Sequence, residues 1–419
     1  MHPYLPHTDS DIKSMLEAIG LESVDDLYSD IPESMRMKED LNLPKAKSEI
    51  EVRNIIGKLA KKNLSSADVP TFLGAGLYDH YIPSIIAPLV SRGEFLTSYT
   101  PYQPEVSQGT LQYIFEFQTL LCDLTGMEVA NASVYDHSNA VIEAAIMCAS
   151  VNKKKKVLVS ETLNPSSRKV LDNYAKGQGI EVVLINEKDG VTDIEDLEEC
   201  ANITHTAKKA SFVAAVDPIS LGILKKPGDM GADVVIGEGQ ALGIATEFGG
   251  PLLGFMCTTE KFLRKLPGRI VGQTVDNNGK RCYVLTLTAR EQHIRREKAT
   301  SNICSNRGVN TLAATIYMCL LGKNGLREVA IQSMSKAHYL QSKLEEKGFK
   351  LKWNQPFFKE FVVEGLTADK QRELLKDKEM IGGFGLKRFY EDYDNVMFAV
   401  TEKRTKEEMD RLVELLGGK

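Results

Sequence analysis

The residues with the clearest chemical potential are polar side chains that follow short apolar segments. Asp217 directly follows F-V-A-A-V, and a loop at residues 237 to 250 follows A-D-V-V-I. Short β-branched segments bounded by glycine and polar residues are typical of buried strands. Because ligands of parallel α/β sheets bind at the carboxyl ends of the strands, we expect a site at this edge of a sheet.

The loop after the second of these segments indicates a pocket related to those that hold pyridoxal phosphate. In many enzymes with that cofactor, a strand of the type G-A-D-x-x precedes a lysine whose amine forms a Schiff base with the cofactor. Gln240 and Ala241 stand where a His-Lys pair is expected. A methyl side chain cannot form an imine, so the sequence predicts that this chain holds no pyridoxal phosphate covalently.

Asp217 lies 24 residues before Ala241. An aspartate at that distance before the lysine usually keeps the pyridine nitrogen of the cofactor protonated. Asp217 and Gln240 are therefore interpreted as remnants of a cofactor site, although a turn cap before Pro218 is an equally good reading of Asp217.

A second candidate is the polar turn Y-D-H-S-N-A at residues 135 to 140, between a predicted strand and a predicted helix. Free N–H groups and the helix dipole favour an anion there, but Asp136, Ser138 and Asn139 are also ordinary N-cap residues. The glycines at 237, 239 and 243 do not match G-x-G-x-x-G, and the histidines never fall at metal-ligand spacing. We therefore expect neither a nicotinamide site nor a metal site.

Composition and charge exclude several classes of protein. The chain has 419 residues and a formal net charge of -5, without the basic excess of a nucleic-acid or anionic-membrane binder. No segment approaches about 18 consecutive apolar residues, which argues against a membrane span. The N-terminal sequence has no basic and apolar leader, so we expect a cytoplasmic protein. Seven cysteines without a C-x-x-C pair predict reduced, buried thiols.

The pattern of elements predicts three regions. Residues 1–68 form a charged helical arm in which Asp9 and Ser10 cap the first helix and Gly20 ends it. Residues 69–325 alternate strand and helix patterns, which predicts a large parallel-sheet α/β domain. Residues 326–419 predict a small C-terminal α+β domain. An arm with so little apolar surface is expected to pack on the main body or on a partner subunit.

Two further segments have open interpretations. Residues 71 to 108 combine glycines, prolines and four tyrosines, which is typical either of a polar recognition loop or of a structural one. The segment A-R-E-Q-H-I-R-R-E-K-A-T-S-N has charges of both signs and usually would be solvated helix surface. Its position between a predicted hairpin at Asn277-Asn278-Gly279 and a polar turn leaves a role in a site or interface open.

Several long motifs together resemble one family. They are Y-T-P-Y-Q-P-E-V-S-Q-G-T-L-Q, G-A-D-V-V-I-G-E-G-Q-A-L-G, F-G-G-P-L-L-G-F, P-G-R-I-V-G-Q-T-V-D and L-T-A-R-E-Q-H-I-R-R-E-K-A-T-S-N-I-C. They resemble subunit 1, the α subunit, of the split glycine dehydrogenase (decarboxylating), the P-protein of the glycine cleavage system. The resemblance covers nearly the whole chain and implies the aspartate-aminotransferase-like fold, fold type I, of pyridoxal-phosphate enzymes.

The resemblance also implies a division of labour. Pyridoxal phosphate and glycine would bind the β chain, glycine dehydrogenase subunit 2, in an α2β2 assembly. That assembly would decarboxylate glycine and transfer the aminomethyl group to the lipoyl arm of the H-protein. The chain departs from the family at His137 and Asn139, where small residues are expected, and this bulk argues against a phosphate in its own pocket.

Residues expected to reach the partner's site belong to the two segments left open above. They are Tyr99, Thr100, Tyr102, Glu105, Gln108, Thr300, Ser301 and Asn302. Two alternatives remain at this stage. One is a structural or regulatory pseudoenzyme that only scaffolds the β chain. The other is a self-sufficient pyridoxal enzyme that uses a different lysine, such as Lys225 or Lys226.

Overall fold

The computed structural model describes residues 4, 6–39, 41–192 and 196–417. The chain divides into two compact units, Met1–Asn63 and Leu64–Lys419. Parts of the predicted arm (1–3, 5 and 40), the start of the predicted D-I-E-D-L-E-E-C-A helix (193–195) and the end of the predicted small domain (418 and 419) lie outside the described residues.

The first unit contains helices α1 (Asp9–Ile19) and α2 (Glu49–Ala60). Gly20 ends α1 with a φ of 72°, as predicted. The predicted cap was wrong by one residue: Thr8 is extended, and its hydroxyl accepts from the Asp11 N–H at 3.2 Å. The apolar stripe of α2 is exposed to solvent: Ile50 73%, Val52 45%, Ile55 44%, Ile56 58% and Leu59 53%.

The second unit contains the remaining helices and the strands. The helices are α3 (Ile86–Val90), α4 (Gly93–Leu96), α5 (Gln108–Thr125), α6 (His137–Asn152), α7 (Pro165–Gln178), α8 (Leu197–Thr206), α9 (Gln292–Arg295), α10 (Gly308–Glu346), α11 (Ala368–Leu374) and α12 (Lys406–Gly417). The strands are β1 (Val129–Ala130), β2 (Lys156–Ser160), β3 (Glu181–Ile185), β4 (Glu187–Lys188), β5 (Val191–Thr192), β6 (Val213–Val216), β7 (Val234–Glu238), β8 (Gly254–Thr258), β9 (Ile270–Val275), β10 (Arg281–Thr286), β11 (Lys350–Leu351), β12 (Glu360–Glu364), β13 (Phe384–Gly385) and β14 (Val396–Ala399).

The central sheet has the order β1-β8-β7-β6. Strands β6 and β7 are parallel, with Val216 opposite Gly237, so their carboxyl ends lie side by side at one edge. Strands β2 and β3 form a second parallel pair. The predicted α/β architecture is confirmed, but β8 runs antiparallel to both β7 and β1, a reversal that the alternating pattern did not reveal.

Apolar clusters cover the central sheet. Val235 of β7 packs with residues of α5 and α10, whereas Val234 and Ile236 pack with residues of α6. A fully buried strand presents apolar side chains to both faces, which explains its continuous apolar sequence. Gly254 is required where β8 passes the start of α6, because a Cβ there would lie 2.3 Å from the Asp136 carbonyl oxygen.

The C-terminal part has its own antiparallel sheet of order β11-β12-β14-β13, with α11, α12 and an apolar core. This is the predicted α+β arrangement. Phe72 joins that core, and its N–H donates to the Ile381 carbonyl at 2.9 Å. Helix α10 leads into this region and breaks at Gly322, which has a φ of 57°.

The predicted hairpin is present, whereas the cysteines differ in their exposure. The hairpin is confirmed as β9 and β10, joined by a turn in which the Gly279 N–H donates to the Asp276 carbonyl. The expectation of buried thiols is correct for Cys148 and Cys257, whereas Cys122, Cys200 and Cys282 are half-buried. It was wrong for Cys304 and Cys319, which are exposed because Cys304 lies on a surface loop and Cys319 on the outer side of α10. Among the described residues, no helix is both long enough and apolar enough to cross a bilayer.

Candidate functional site

Asp217 lies directly after β6, at the edge predicted for a ligand. One carboxylate oxygen, Oδ1, accepts from the Ile219 N–H at 2.9 Å, so the turn-cap reading of this residue is correct. The other oxygen, Oδ2, lies 2.5 Å from the ammonium nitrogen of Lys359. Burial alone would raise the pKa of the Asp217 carboxyl, but the Lys359 ammonium outweighs it and holds that pKa below its usual value. Asp217 is therefore a carboxylate with a fixed cationic partner.

Lys359 immediately precedes β12 and reaches the end of β6. Its side chain is only 2% exposed. The ammonium donates to His80 Nε2 at 3.0 Å and lies 3.5 Å from the centroid of the Tyr78 ring. A carboxylate, an imidazole nitrogen and an aromatic face together replace the water that a buried ammonium loses.

His80 also contacts Glu402. Its Nδ1 lies 2.6 Å from Glu402 Oε2. Burial, together with the Lys359 charge, lowers the pKa of His80, so the ring is neutral. A neutral ring that accepts from Lys359 at Nε2 must carry its proton at Nδ1 and donate it to Glu402.

Tyr78 is fixed by hydrogen bonds to its backbone N–H, its backbone carbonyl and its hydroxyl. Its backbone N–H donates to Gln240 Oε1 at 3.0 Å, and Gln240 Nε2 donates to the Tyr78 carbonyl at 3.1 Å. Its hydroxyl donates to Glu360, which also accepts from the Ala75 N–H at 2.6 Å. Gln240, interpreted as a remnant, thus fixes the residue whose ring covers the Lys359 ammonium.

The start of α6, predicted as an anion site, faces a carboxylate of the chain itself. Glu238 Oε2 accepts from the His137 N–H at 3.0 Å. Its Oε1 accepts from the N–H groups of Gln240 at 3.0 Å and Leu253 at 2.8 Å. Asp136 caps the helix by accepting from the Asn139 N–H at 2.8 Å. We call Tyr78, Asp217, Glu238, Gln240, Ala241 and Lys359 the strand-end site.

Within the strand-end site, Ala241 is 3% exposed, and its side chain also belongs to the apolar core. Lys225 and Lys226 are exposed, and Lys225 pairs with Glu198 at 2.9 Å. Neither lysine points to a buried ligand site, so the reading of a self-sufficient enzyme with one of them has no support in the structure.

The tyrosine segment lies elsewhere, on an open surface. Tyr99, Thr100 and Tyr102 line a cleft of about 960 Å³. Tyr99 is 88% exposed and Tyr102 53% exposed. Glu105 is exposed nearby. Gln108 is different, because its amide bonds the backbone of Tyr283 in both directions at 2.9 Å, which commits this side chain to holding β10.

Arg269 connects the tyrosine segment to the second predicted segment. This residue is 3% exposed. One guanidinium nitrogen donates to the Tyr102 hydroxyl at 3.1 Å and to the Cys304 carbonyl at 2.8 Å. The other terminal nitrogen of the planar guanidinium donates to Asn306 Oδ1 at 3.4 Å, so both arms of the fork are used. The guanidinium brings Tyr102 close to the loop that follows residues 300 to 302.

Residues Thr300, Ser301 and Asn302 lead into that loop. Ser301 accepts from the Ile303 N–H at 3.0 Å and donates to the buried Glu143 of α6. Asn302 is exposed, and Thr300 is half-buried. The charged segment before them forms short turns around α9 rather than one helix.

The fold shows the structural class of this protein. The chain superposes on glutamate decarboxylase from Lactobacillus brevis with a TM-score of 0.64 at 13% identity, over 92% of this chain and 95% of the other. At that identity only the fold is shared, and it is fold type I of the pyridoxal-phosphate-dependent enzymes.

The particular family follows from closer relatives. The profile of the glycine cleavage system P-protein family matches residues 2–416. A probable glycine dehydrogenase (decarboxylating) subunit 1 from Bacillus cereus is 51% identical, over all of this chain and 99% of the relative. A crystal structure of glycine decarboxylase (P-protein) in inhibitor-bound form superposes with a TM-score of 0.91 at 38% identity, over 99% of each chain. The chain belongs to the glycine cleavage system P-protein family.

The residues of the strand-end site do not fit pyridoxal phosphate. Ala241 offers no amine for a Schiff base. The Asp217 carboxylate is already paired with an ammonium. The N–H group at the start of α6 is already bonded to the Glu238 carboxylate, which would repel a phosphate. No chemical step through the cofactor is therefore assigned to this chain.

Sequence reasoning missed two residues of the strand-end site, Tyr78 and Lys359, and their neighbours His80 and Glu402. It also missed Arg269, which contacts the tyrosine segment. One signal was present for Lys359. It lies in F-F-K-E-F-V-V, where two charged residues interrupt an otherwise apolar strand pattern. A charge inside such a pattern marks a position that needs a buried partner.

Proposed function

We propose that this chain is the α subunit of a split glycine decarboxylase, and that it carries no cofactor. The observation that supports this most directly is Ala241, an amine-free side chain that is 3% exposed after β7. Family membership supplies the reaction, and the strand-end site argues that the cofactor belongs to another polypeptide. That polypeptide is a glycine dehydrogenase subunit 2, the β chain, in an α2β2 assembly.

In this assembly the β chain binds pyridoxal phosphate and glycine. The cofactor, when bound there, acts as the electron sink that stabilises the carbanion left by loss of carbon dioxide. The aminomethyl group is then transferred to the lipoyl arm of the H-protein. The residues of this chain contribute by contact and by charge at the interface.

Exposed aromatic and apolar side chains support an interface on this chain. Tyr99 is 88% exposed, and Val106, which lines the same cleft, is 79% exposed. Phe248 is 90% exposed in a loop where it and Glu247 both have positive φ. Aromatic side chains are enriched in protein interfaces. The uncovered stripe of α2 offers a second apolar surface for a partner subunit.

The division of labour is tested with each chain alone and with the two together. The assay is exchange of label between glycine and bicarbonate, and the mass of the co-purified complex gives its stoichiometry. We expect exchange from the mixture and none from this chain alone. Exchange by this chain without a partner would refute the proposal.

A second experiment separates a contributing subunit from a scaffold. Tyr99→Phe and Tyr102→Phe remove hydroxyls from the cleft and leave the rings in place. We expect slower exchange by the complex with unchanged assembly. Tyr174→Phe, at a tyrosine that is 40% exposed on α7, is the matched control. Unchanged turnover in the two loop variants would favour a purely structural subunit.

The remaining parts of the proposal concern organisation. We propose an arm at residues 1–68, a large domain at 69–325, a small domain at 326–419 and a cytoplasmic location. Thr100, Glu105, Thr300 and Asn302 are proposed to face the partner together with the two tyrosines. Ser301 and Gln108 are proposed to fix those segments through their own hydrogen bonds, Ser301 to Glu143 and Gln108 to the Tyr283 backbone.

A further inference from the structure

We propose that this chain fills its own cofactor pocket, with the Lys359 ammonium at the position of the protonated pyridine nitrogen and the Glu238 carboxylate at the position of the phosphate. The inference builds on the proposed function and goes further, because it states why the chain cannot bind pyridoxal phosphate even without a covalent bond.

The cation at the position of the pyridine nitrogen is the Lys359 ammonium. Asp217 ends a strand next to the strand that precedes Ala241, and in fold type I a carboxylate there serves the pyridine nitrogen. The positive charge that this carboxylate requires is supplied by Lys359 at 2.5 Å. The Tyr78 ring covers that ammonium at 3.5 Å, as an aromatic ring would cover a cationic ligand.

The anion at the position of the phosphate is the Glu238 carboxylate. The start of α6 follows β1 in the central sheet, the geometry that binds phosphate groups in many α/β proteins. The His137 N–H donates to Glu238, and that carboxylate is also fixed by the N–H groups of Gln240 and Leu253. Burial raises the pKa of Glu238, while the three N–H groups oppose this effect. A phosphate would have to displace an internal carboxylate held by three hydrogen bonds.

The two replacements are joined through Gln240. It follows Glu238 by two residues, and its side chain holds both backbone polar groups of Tyr78. Gln240 is 2% exposed. The site is therefore continuous from the end of β6 to the start of α6 and is satisfied by side chains of the chain itself.

The first test needs no variant. Pyridoxine 5′-phosphate, which has the ring and the phosphate but no aldehyde, is added to the isolated full chain while the melting temperature is followed. We expect no shift at millimolar concentration and, when pyridoxal phosphate and borohydride are used instead, no adduct on Lys359, which is 2% exposed, although exposed lysines react. A saturable rise in Tm, or a pyridoxyl group on Lys359, would overturn the inference.

The second test removes the cation and then restores it. Lys359→Ala deletes the atoms of n-propylammonium and leaves the Asp217 carboxylate unpaired. Loss of one member of a buried ion pair is strongly destabilising, so we expect Tm to fall by roughly 5 °C or more. Added n-propylammonium should raise the Tm of this variant with saturation, and n-propanol and tetramethylammonium should not.

Lys352→Ala is the matched control, because Lys352 bonds Glu364 at 3.1 Å beside the same sheet, with side chains that are 25% and 46% exposed. Its Tm should change little and should not respond to n-propylammonium. An unchanged Tm in Lys359→Ala, or rescue by n-propanol, would show that no buried cation fills the site. Since these measurements use the isolated chain, they can fail while the exchange assay of the complex succeeds, and the reverse.

Discussion

Glu143 in α6 gives a quantitative prediction about pH. It is 7% exposed, and burial raises the pKa of its carboxyl from 4.5 to about 7 against the opposing effect of the Ser301 hydroxyl. The folded chain therefore holds a proton that the unfolded chain releases. This contribution to stability is complete below about pH 4.5 and is lost as pH rises through about 7. The full difference is roughly 3 kcal/mol, at 1.36 kcal/mol for each pH unit.

The perturbation is Glu143→Gln, which keeps the shape of the side chain and removes its titration. Free energies of unfolding are measured by urea titration at pH 5.5 and pH 8. The part of the effect between these values is about 2 kcal/mol, so the variant should gain that much relative to wild type on going to pH 8. Glu116→Gln, on an exposed position of α5, is the control and should differ from wild type equally at both values. A Glu143→Gln difference that does not change with pH would refute the reasoning.

Three further predictions concern packing and the partner. In Gly254→Ala the new Cβ would lie 2.3 Å from the Asp136 carbonyl oxygen, so the free energy of unfolding in urea should fall by about 1–3 kcal/mol; an unchanged midpoint would contradict the close approach. Arg269→Lys has one terminal nitrogen in place of two and cannot keep the Tyr102 and Cys304 contacts together with the Asn306 contact, so exchange by the complex should slow several-fold, and full activity would exclude a positioning role. Ile56→Glu on the exposed stripe should change the stability of the isolated chain by less than about 0.5 kcal/mol yet weaken assembly with the β chain, measured as a higher Kd; an unaltered Kd would remove α2 from the interface.

The parts of the fold with local signals could be predicted from the sequence. The continuous apolar segment of β7 follows from burial on both faces, and Gly20 and the Asn278-Gly279 turn end elements where expected. Since β6 and β7 are parallel, the polar residues that follow them had to lie at one edge. The missing amine at Ala241 needed no structure at all.

The contacts that fill the site could not be predicted, because they join segments that are remote in the chain. Lys359 lies next to a strand of a different sheet, and nothing local indicates that its ammonium reaches Asp217. Gln108 was expected to reach the partner's site because it belongs to the same segment as Tyr99 and Tyr102. In the structure its amide bonds the Tyr283 backbone instead. A polar side chain near a candidate site can serve either purpose, and only packing decides between them.

The Lys359–Asp217 pair also restricts movement. Asp217 ends a strand of the central sheet, whereas Lys359 lies at the start of β12 in the C-terminal sheet. Sliding one sheet past the other would leave two unpaired charges, at a cost of several kcal/mol. The relative position of the two sheets within this chain is therefore set by a charge pair as well as by apolar packing.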